Sequence, residues 1–152
     1  MKHPWKMQIS LRLGEHGWSD LDLWLGDQHH YFCITHIFGS PLVDIAKAIL
    51  ELKRGASEVT FILHDEPGEN HWIMTQIPEE QHLLLVEISS TSNQVIEFKV
   101  EREFFIQSFI LELNKIAFQI GNPRFSKERD VDDFPWIALK ELRHGKRING
   151  GT

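Results

Sequence analysis

The chain has one cysteine, Cys33, in 152 residues. That excludes an intramolecular disulfide and any cysteine-rich zinc site, and it suits a reducing compartment such as the cytoplasm. The setting Tyr31-Phe32-Cys33-Ile34 reads as a strand, in which a thiol serves as a small buried hydrophobe. No stretch reaches the ~18 apolar residues of a membrane span, and the first residues hold no apolar run of signal-peptide length. Neither insertion nor secretion is therefore expected. Internal repeats, low-complexity tracts and linkers are also missing, so residues 1–144 read as a single domain and 145–152 as a disordered tail.

Motifs that carry chemistry are missing as well. None of the nine histidines forms a His-x3-His pair on an expected helix, and none has a cysteine at ligand spacing. His29 and His30 are adjacent in a strand, where neighbours point to opposite faces, so they do not converge on one ion. Phe38-Gly39-Ser40-Pro41-Leu42 is not a Gly-x-Ser-x-Gly elbow, and the glycines fall at element ends without forming a phosphate-binding loop. Asp65, Glu66 and Glu69 surround Pro67-Gly68 and have His64 and His71 beside them, but acid–base work needs a carboxylate buried enough to move its pKa, and turn tips are usually wet. The expectation is a solvated acidic turn or a charged recognition loop, with no catalytic residue, no metal ligand and no cofactor.

What the chain does have is an uneven negative charge. Its net −6 arises from a first segment, 1–13, with three bases and no acid, a middle, 14–80, with twelve acids and three bases, and a balanced remainder with ten of each. A negative middle repels nucleic acid and speeds encounters with cationic surfaces. A basic protein is thus the expected partner, and nucleic acid and membrane are not.

Hydrophobic periodicity predicts the elements. Trp5, Met7, Ile9, Leu11 and Leu13 alternate with polar residues, and Leu21, Leu23 and Leu25 alternate with Asp20, Asp22 and Trp24, so the two runs form a hairpin about the turn residues 14–17. A third strand spans residues 30–35. Ser40-Pro41 opens a helix, with the serine oxygen expected to accept from free amides; Lys53 and Arg54 suit its negative end and Gly55 its left-handed cap. Strands at 58–64, 72–77, 82–88 and 94–100 follow with short polar turns, forming an antiparallel meander without crossover helices. Residues 101–120 predict a long helix through Phe105, Phe109, Leu113, Ile116, Ala117 and Ile120, with Phe104, Ile106, Ile110, Leu111 and Phe118 widening its apolar face. Such a helix is either sandwiched between layers or buried on one side and bound to a partner on the other. Residues 122–133 read as a loop, and 134–144 as a short last helix. The fold class is α+β: an antiparallel sheet of six to seven strands with one medium, one long and one short helix.

Trp24 falls in phase with Asp20 and Asp22, opposite the leucines. Either it is exposed on an acidic binding face, as tryptophan anchors beside carboxylates are, or it packs beneath a helix. With an acidic middle, a meander, few helices and no active site, the chain resembles the small immunity proteins of bacterial contact-dependent and polymorphic toxin systems. Its Asp65-Glu66-Pro67-Gly68-Glu69 turn, with Trp72 resuming the strand, is also similar to a pattern in uncharacterised bacterial domains. The first resemblance implies a cytoplasmic, non-enzymatic inhibitor that binds a cognate toxin, often a nuclease. Asp20, Asp22, Asp65, Glu66 and Glu69 would be its partner-reading carboxylates and Trp24 its apolar anchor. Two other readings compete with it. One is a small-molecule binder or enzyme with a pocket between the sheet and the long helix, near His64 and His71. The other is a homodimer formed through residues 104–118.

Overall fold

A computed structural model describes residues 6–14, 18–36, 39–65, 68–121 and 134–144. Seven strands and three helices follow in the order β1 (Met7–Leu13), β2 (Trp18–Leu25), β3 (Gln28–Thr35), α1 (Pro41–Lys53), β4 (Glu58–His64), β5 (Glu69–Ile77), β6 (Glu80–Ser90), β7 (Val95–Glu101), α2 (Arg102–Ile120) and α3 (Trp136–His144). The α+β, all-antiparallel architecture is as the periodicity predicts, and the strands divide into two sheets, β1-β2-β3 and β4-β5-β6-β7. The expected tail at 145–152 and the loop at 122–133 lie outside the described residues, as does Glu66.

Each sheet turns its apolar alternation inward. Met7, Ile9 and Leu11 of β1 and Leu21, Leu23 and Leu25 of β2 are buried on one side, as are Val59, Phe61 and Leu63 of β4 and Trp72 and Met74 of β5 on the other. The two sheets meet through aromatic rings. Phe32 of β3 approaches Trp72 edge-on at 5.6 Å between centroids, and Trp72 in turn stacks on Phe61 at 5.2 Å and meets Phe109 of α2 at 6.3 Å. Trp72 is fully buried, and its indole N–H donates to Oδ1 of buried Asn70 at 2.9 Å, so the one polar atom of that ring is satisfied inside the core.

The helices close the core. Helix α2 packs on β1, β6 and β7, while α1 lies against β4 and α2. Leu11 N–H, on the outer edge of β1, donates to Oε1 of Glu112 at 2.9 Å, so α2 satisfies a backbone group that an edge strand would otherwise present to another chain. At the end of α1, Gly55 takes φ +99, its N–H donates to the Leu52 carbonyl, and Ala56 N–H donates to that of Glu51, which is a Schellman closure. One local expectation is revised: Ser40 makes no side-chain hydrogen bond at the N-cap and contributes only its carbonyl, which accepts from Asp44 N–H. Lys53 and Arg54 stand at the negative end of α1 as expected, and their side chains reach on to a neighbouring helix. Lys53 Nζ donates to the Leu142 carbonyl at 2.6 Å and Arg54 pairs with Glu141, both on α3, while the α1 carbonyl of Leu52 accepts from Arg102.

Candidate functional site

The outward face of the first sheet carries the densest polar arrangement among the described residues, and strand register alone assembles it. In the β1–β2 pairing Arg12 stands opposite Asp20, Ser10 opposite Asp22 and Gln8 opposite Trp24. In β2–β3, Asp20 stands opposite Cys33, Asp22 opposite Tyr31 and Trp24 opposite His29. Because side chains alternate, all of these share one face.

The bonds on this face run diagonally. Arg12 reaches past Asp20 to bond Oδ2 of Asp22 at 2.6 Å, and His29 reaches past Trp24 to place Nε2 2.7 Å from Oδ1 of the same carboxylate. Tyr31 reaches past Asp22 and donates its hydroxyl to Asp20. Diagonal neighbours in an antiparallel pair are within reach of long side chains, which these three are. Trp24 stacks on the His29 ring at 4.7 Å with an interplanar angle of 18°. The result is a braced row in which one aspartate holds a cation and an imidazole, the imidazole supports a tryptophan, and the other aspartate orients a phenol.

Burial and charge separate the two aspartates. The Asp22 side chain is only 10% exposed, whereas those of Arg12 and His29 are about half exposed. Burial pushes the Asp22 carboxyl up, but the hydrogen bonds from His29 and Arg12 and their charges outweigh it, and its pKa lies below the ordinary value. Its hydrogen bond to Asp22, with the attraction of that carboxylate, raises the Arg12 guanidinium in return. The hydrogen bond to Asp20 raises the Tyr31 phenol well above its ordinary range, with burial and a contact to Cys33 adding to it. Tyr31 is nonetheless 54% exposed.

The face therefore brings together Asp20, Asp22 and Trp24 of the six sequence-derived candidates. Trp24 is half-buried and stacks on the His29 ring. Asp22, expected to read a partner's cations, has both oxygens engaged within the chain. Cys33, expected as a buried small hydrophobe, is half-buried on this face instead. Sequence reasoning missed Arg12, His29 and Tyr31. The alternation that placed Trp24 outward applies equally to them, but the diagonal bonds depend on the register of two hairpins, which periodicity does not supply.

Asp65 and Glu69 lie elsewhere, at the β4–β5 tip of the second sheet. Glu69 is gripped by two histidines, with Nε2 of His71 at 2.5 Å from one oxygen and Nδ1 of His64 at 3.6 Å from the other. Thr91, in the β6–β7 turn, receives Glu69 N–H on its hydroxyl at 2.9 Å and donates its own N–H to the Glu69 carbonyl at 3.1 Å. A Cβ on Gly68 would sit 3.1 Å from both Oδ1 of Asp65 and Oγ1 of Thr91, so only glycine fits the turn without displacing these groups. The acidic turn is thus a braced structure as well as a charged one. Among the described residues no group of three metal-binding side chains occurs.

A separate cleft of about 470 Å³ runs along the outer side of α1 and β4, lined by Ser40, Asp44, Lys47, Glu51, Thr60 and His64 among others. It does not lie between the sheet and α2, where Phe61, Trp72, Phe105 and Phe109 interlock. No helix among the described residues is long and apolar enough to cross a membrane.

The fold and this face define an α+β protein with two antiparallel sheets and an open, polar-aromatic sheet surface. No protein-family model, curated protein or solved structure matches the chain.

Proposed function

We propose that the chain is a non-enzymatic binding protein for a basic protein partner, an inhibitor of the immunity class that acts in the cytoplasm on a cognate toxin domain. The observation that carries this reading is the open face of the first sheet. It presents a tryptophan, a tyrosine and an arginine, the residue types enriched where binding energy concentrates, and each is already held by a neighbour. Groups fixed before association lose less rotamer freedom on binding, so contact area converts to affinity more efficiently. Trp24 and Tyr31 are the apolar anchors, Asp20 the partner-facing carboxylate of this face, and Asp22 positions Arg12 and His29. The net −6, concentrated in the middle of the chain, favours a cationic partner and predicts association that slows with salt.

The test is capture of the purified product of the adjacent gene on the immobilised chain, at low and high salt, by wild type and by Trp24→Ala and Tyr31→Ala. Salt-sensitive binding that falls at least about tenfold in each variant, as loss of a central anchor would cause, supports the reading. Equal binding by both variants would remove this face from consideration.

A small-ligand reading is favoured by the cleft beside α1, whose volume falls within the range of ligand sites and whose lining mixes Asp44, Lys47 and His64. Loss of a ligand-induced rise in thermal midpoint on His64→Ala, with the partner still bound, would assign function to that cleft.

A further inference from the structure

Helix α2 buries Phe105, Ile106, Phe109, Ile110, Leu113, Ile116, Ala117 and Ile120 on one side. The three remaining large apolar residues, Phe104, Leu111 and Phe118, are 47%, 65% and 87% exposed. At 3.6 residues per turn they fall on the line opposite the centre of the buried face, one every seven residues, along roughly 21 Å of helix. A sevenfold repeat drifts by about 20° per step on a straight helix and stays in register with a second helix when the two cross at a shallow left-handed angle.

We propose that this stripe is a self-association surface through which two copies of the chain pair, with their α2 helices antiparallel about a two-fold axis at Leu111. The spacing is symmetric about that residue. The axis sets Leu111 against Leu111 and each Phe104 against the other copy's Phe118, so one stripe is complementary to itself, as a two-fold contact requires. Charge agrees with this occupant. Two chains of net −6 repel, yet the residues flanking the stripe on its two sides, Gln107, Ser108, Asn114 and Lys115, carry one charge, Lys115, and exposed Glu103 at the stripe's end falls opposite Gln119 in the antiparallel pairing. That cation is paired with Glu112 of its own helix at 2.6 Å, and the symmetry places it opposite Gln107, so no like charges meet.

Area sets the strength. A Phe side chain has on the order of 150–250 Å² to bury and a Leu somewhat less, so at their exposures the three together offer roughly 350 Å² per chain. The two stripes together bury roughly 700 Å², below the about 1,200 Å² at which stable specific interfaces begin, so the pairing is a weak, reversible one. This surface is on a different element from the sheet face above, and the inference does not rest on the function proposed there.

Sedimentation equilibrium of the full chain from about 5 to 500 μM tests it, since a pairing equilibrium depends on concentration. The mass is expected to rise from 17.8 kDa toward twice that value, and Leu111→Glu is expected to stay monomeric with unchanged circular dichroism and thermal midpoint. Orientation is read in a Cys33→Ser background under mild oxidant. Leu111→Cys should cross-link to itself, and a mixture of Phe104→Cys and Phe118→Cys chains should cross-link to each other faster than either does alone. A wild-type chain that is monomeric throughout the range overturns the proposal, as does a Leu111→Glu chain that pairs like wild type. Phe104→Cys joining itself in preference to Phe118→Cys refutes the antiparallel arrangement. If the wild type is monomeric and Leu111→Glu abolishes capture of the adjacent-gene product, the stripe belongs to that partner and not to a second copy.

Discussion

Nε2 of His29 lies 2.7 Å from Oδ1 of Asp22, and the same imidazole carries the Trp24 indole stacked 4.7 Å away. A carboxylate that is nearly buried therefore fixes an aromatic group that is not. Through this relationship one shielded carboxylate of the outward face holds the geometry of the exposed groups around it.

Asp22 is consequently expected to behave as a structural acid. Asp22→Asn replaces one acceptor oxygen with a donor facing Arg12 or His29 and should cost about 1–3 kcal/mol, while Asp22→Lys, which buries a cation beside a cation, should cost more. Because the folded-state pKa is depressed, the stabilisation is fully present above the unfolded value of about 3.9 and is lost as pH falls through the lower folded value. Urea denaturation should show a wild-type advantage over Asp22→Asn that is steady at pH 6 and shrinks below about pH 4. A gap that does not change with pH would mean that the pair is not ionised in the folded state.

Tyr31 is the sole tyrosine of the chain, so absorbance at 295 nm reports it directly. Held by its hydrogen bond to Asp20, with burial adding to the effect, the phenol should ionise above the ordinary value of about 10. Asp20→Asn should bring the titration back toward that value while the fold persists. A wild-type midpoint at the ordinary value in the folded chain would show that Tyr31 and Asp20 are not joined in solution, and the preorganisation argued for the open face would fail with it.

In the core, Asn70→Ala leaves the Trp72 indole N–H without its acceptor and should cost about 1–3 kcal/mol. In a Trp72→Phe background, where no such donor exists, the same change should cost distinctly less. The coupling energy from this double-mutant cycle isolates the bond. Equal costs in both backgrounds would mean that Asn70 acts through packing alone.

Much of this protein is set by local pattern. The period-2 runs determined the strands and which of their residues face inward, because a strand buried on one side must alternate. Helical spacing and the Gly55 cap determined α1 in the same way, since a left-handed closing residue is strained for side chains other than glycine. The outward phase of Trp24, with Asp20 and Asp22, followed from the same alternation. Even the excess apolar residues of α2 were visible in the sequence, though not their division into buried Ile106 and Ile110 and exposed Phe104, Leu111 and Phe118.

Only the tertiary structure decided the rest. The seven strands form two sheets, and Phe32 and Trp72 join them ring against ring, a contact forty residues apart in sequence that no local period encodes. Asp22 became an internal brace and not a surface charge because cross-strand register brought Arg12 and His29 diagonally onto it. Lys53 and Arg54, placed at the end of α1 by the sequence, found their partners on α3 because that helix docks beside α1. Periodicity reports which side of an element is apolar, whereas partners are chosen by register and docking, which depend on contacts between distant segments.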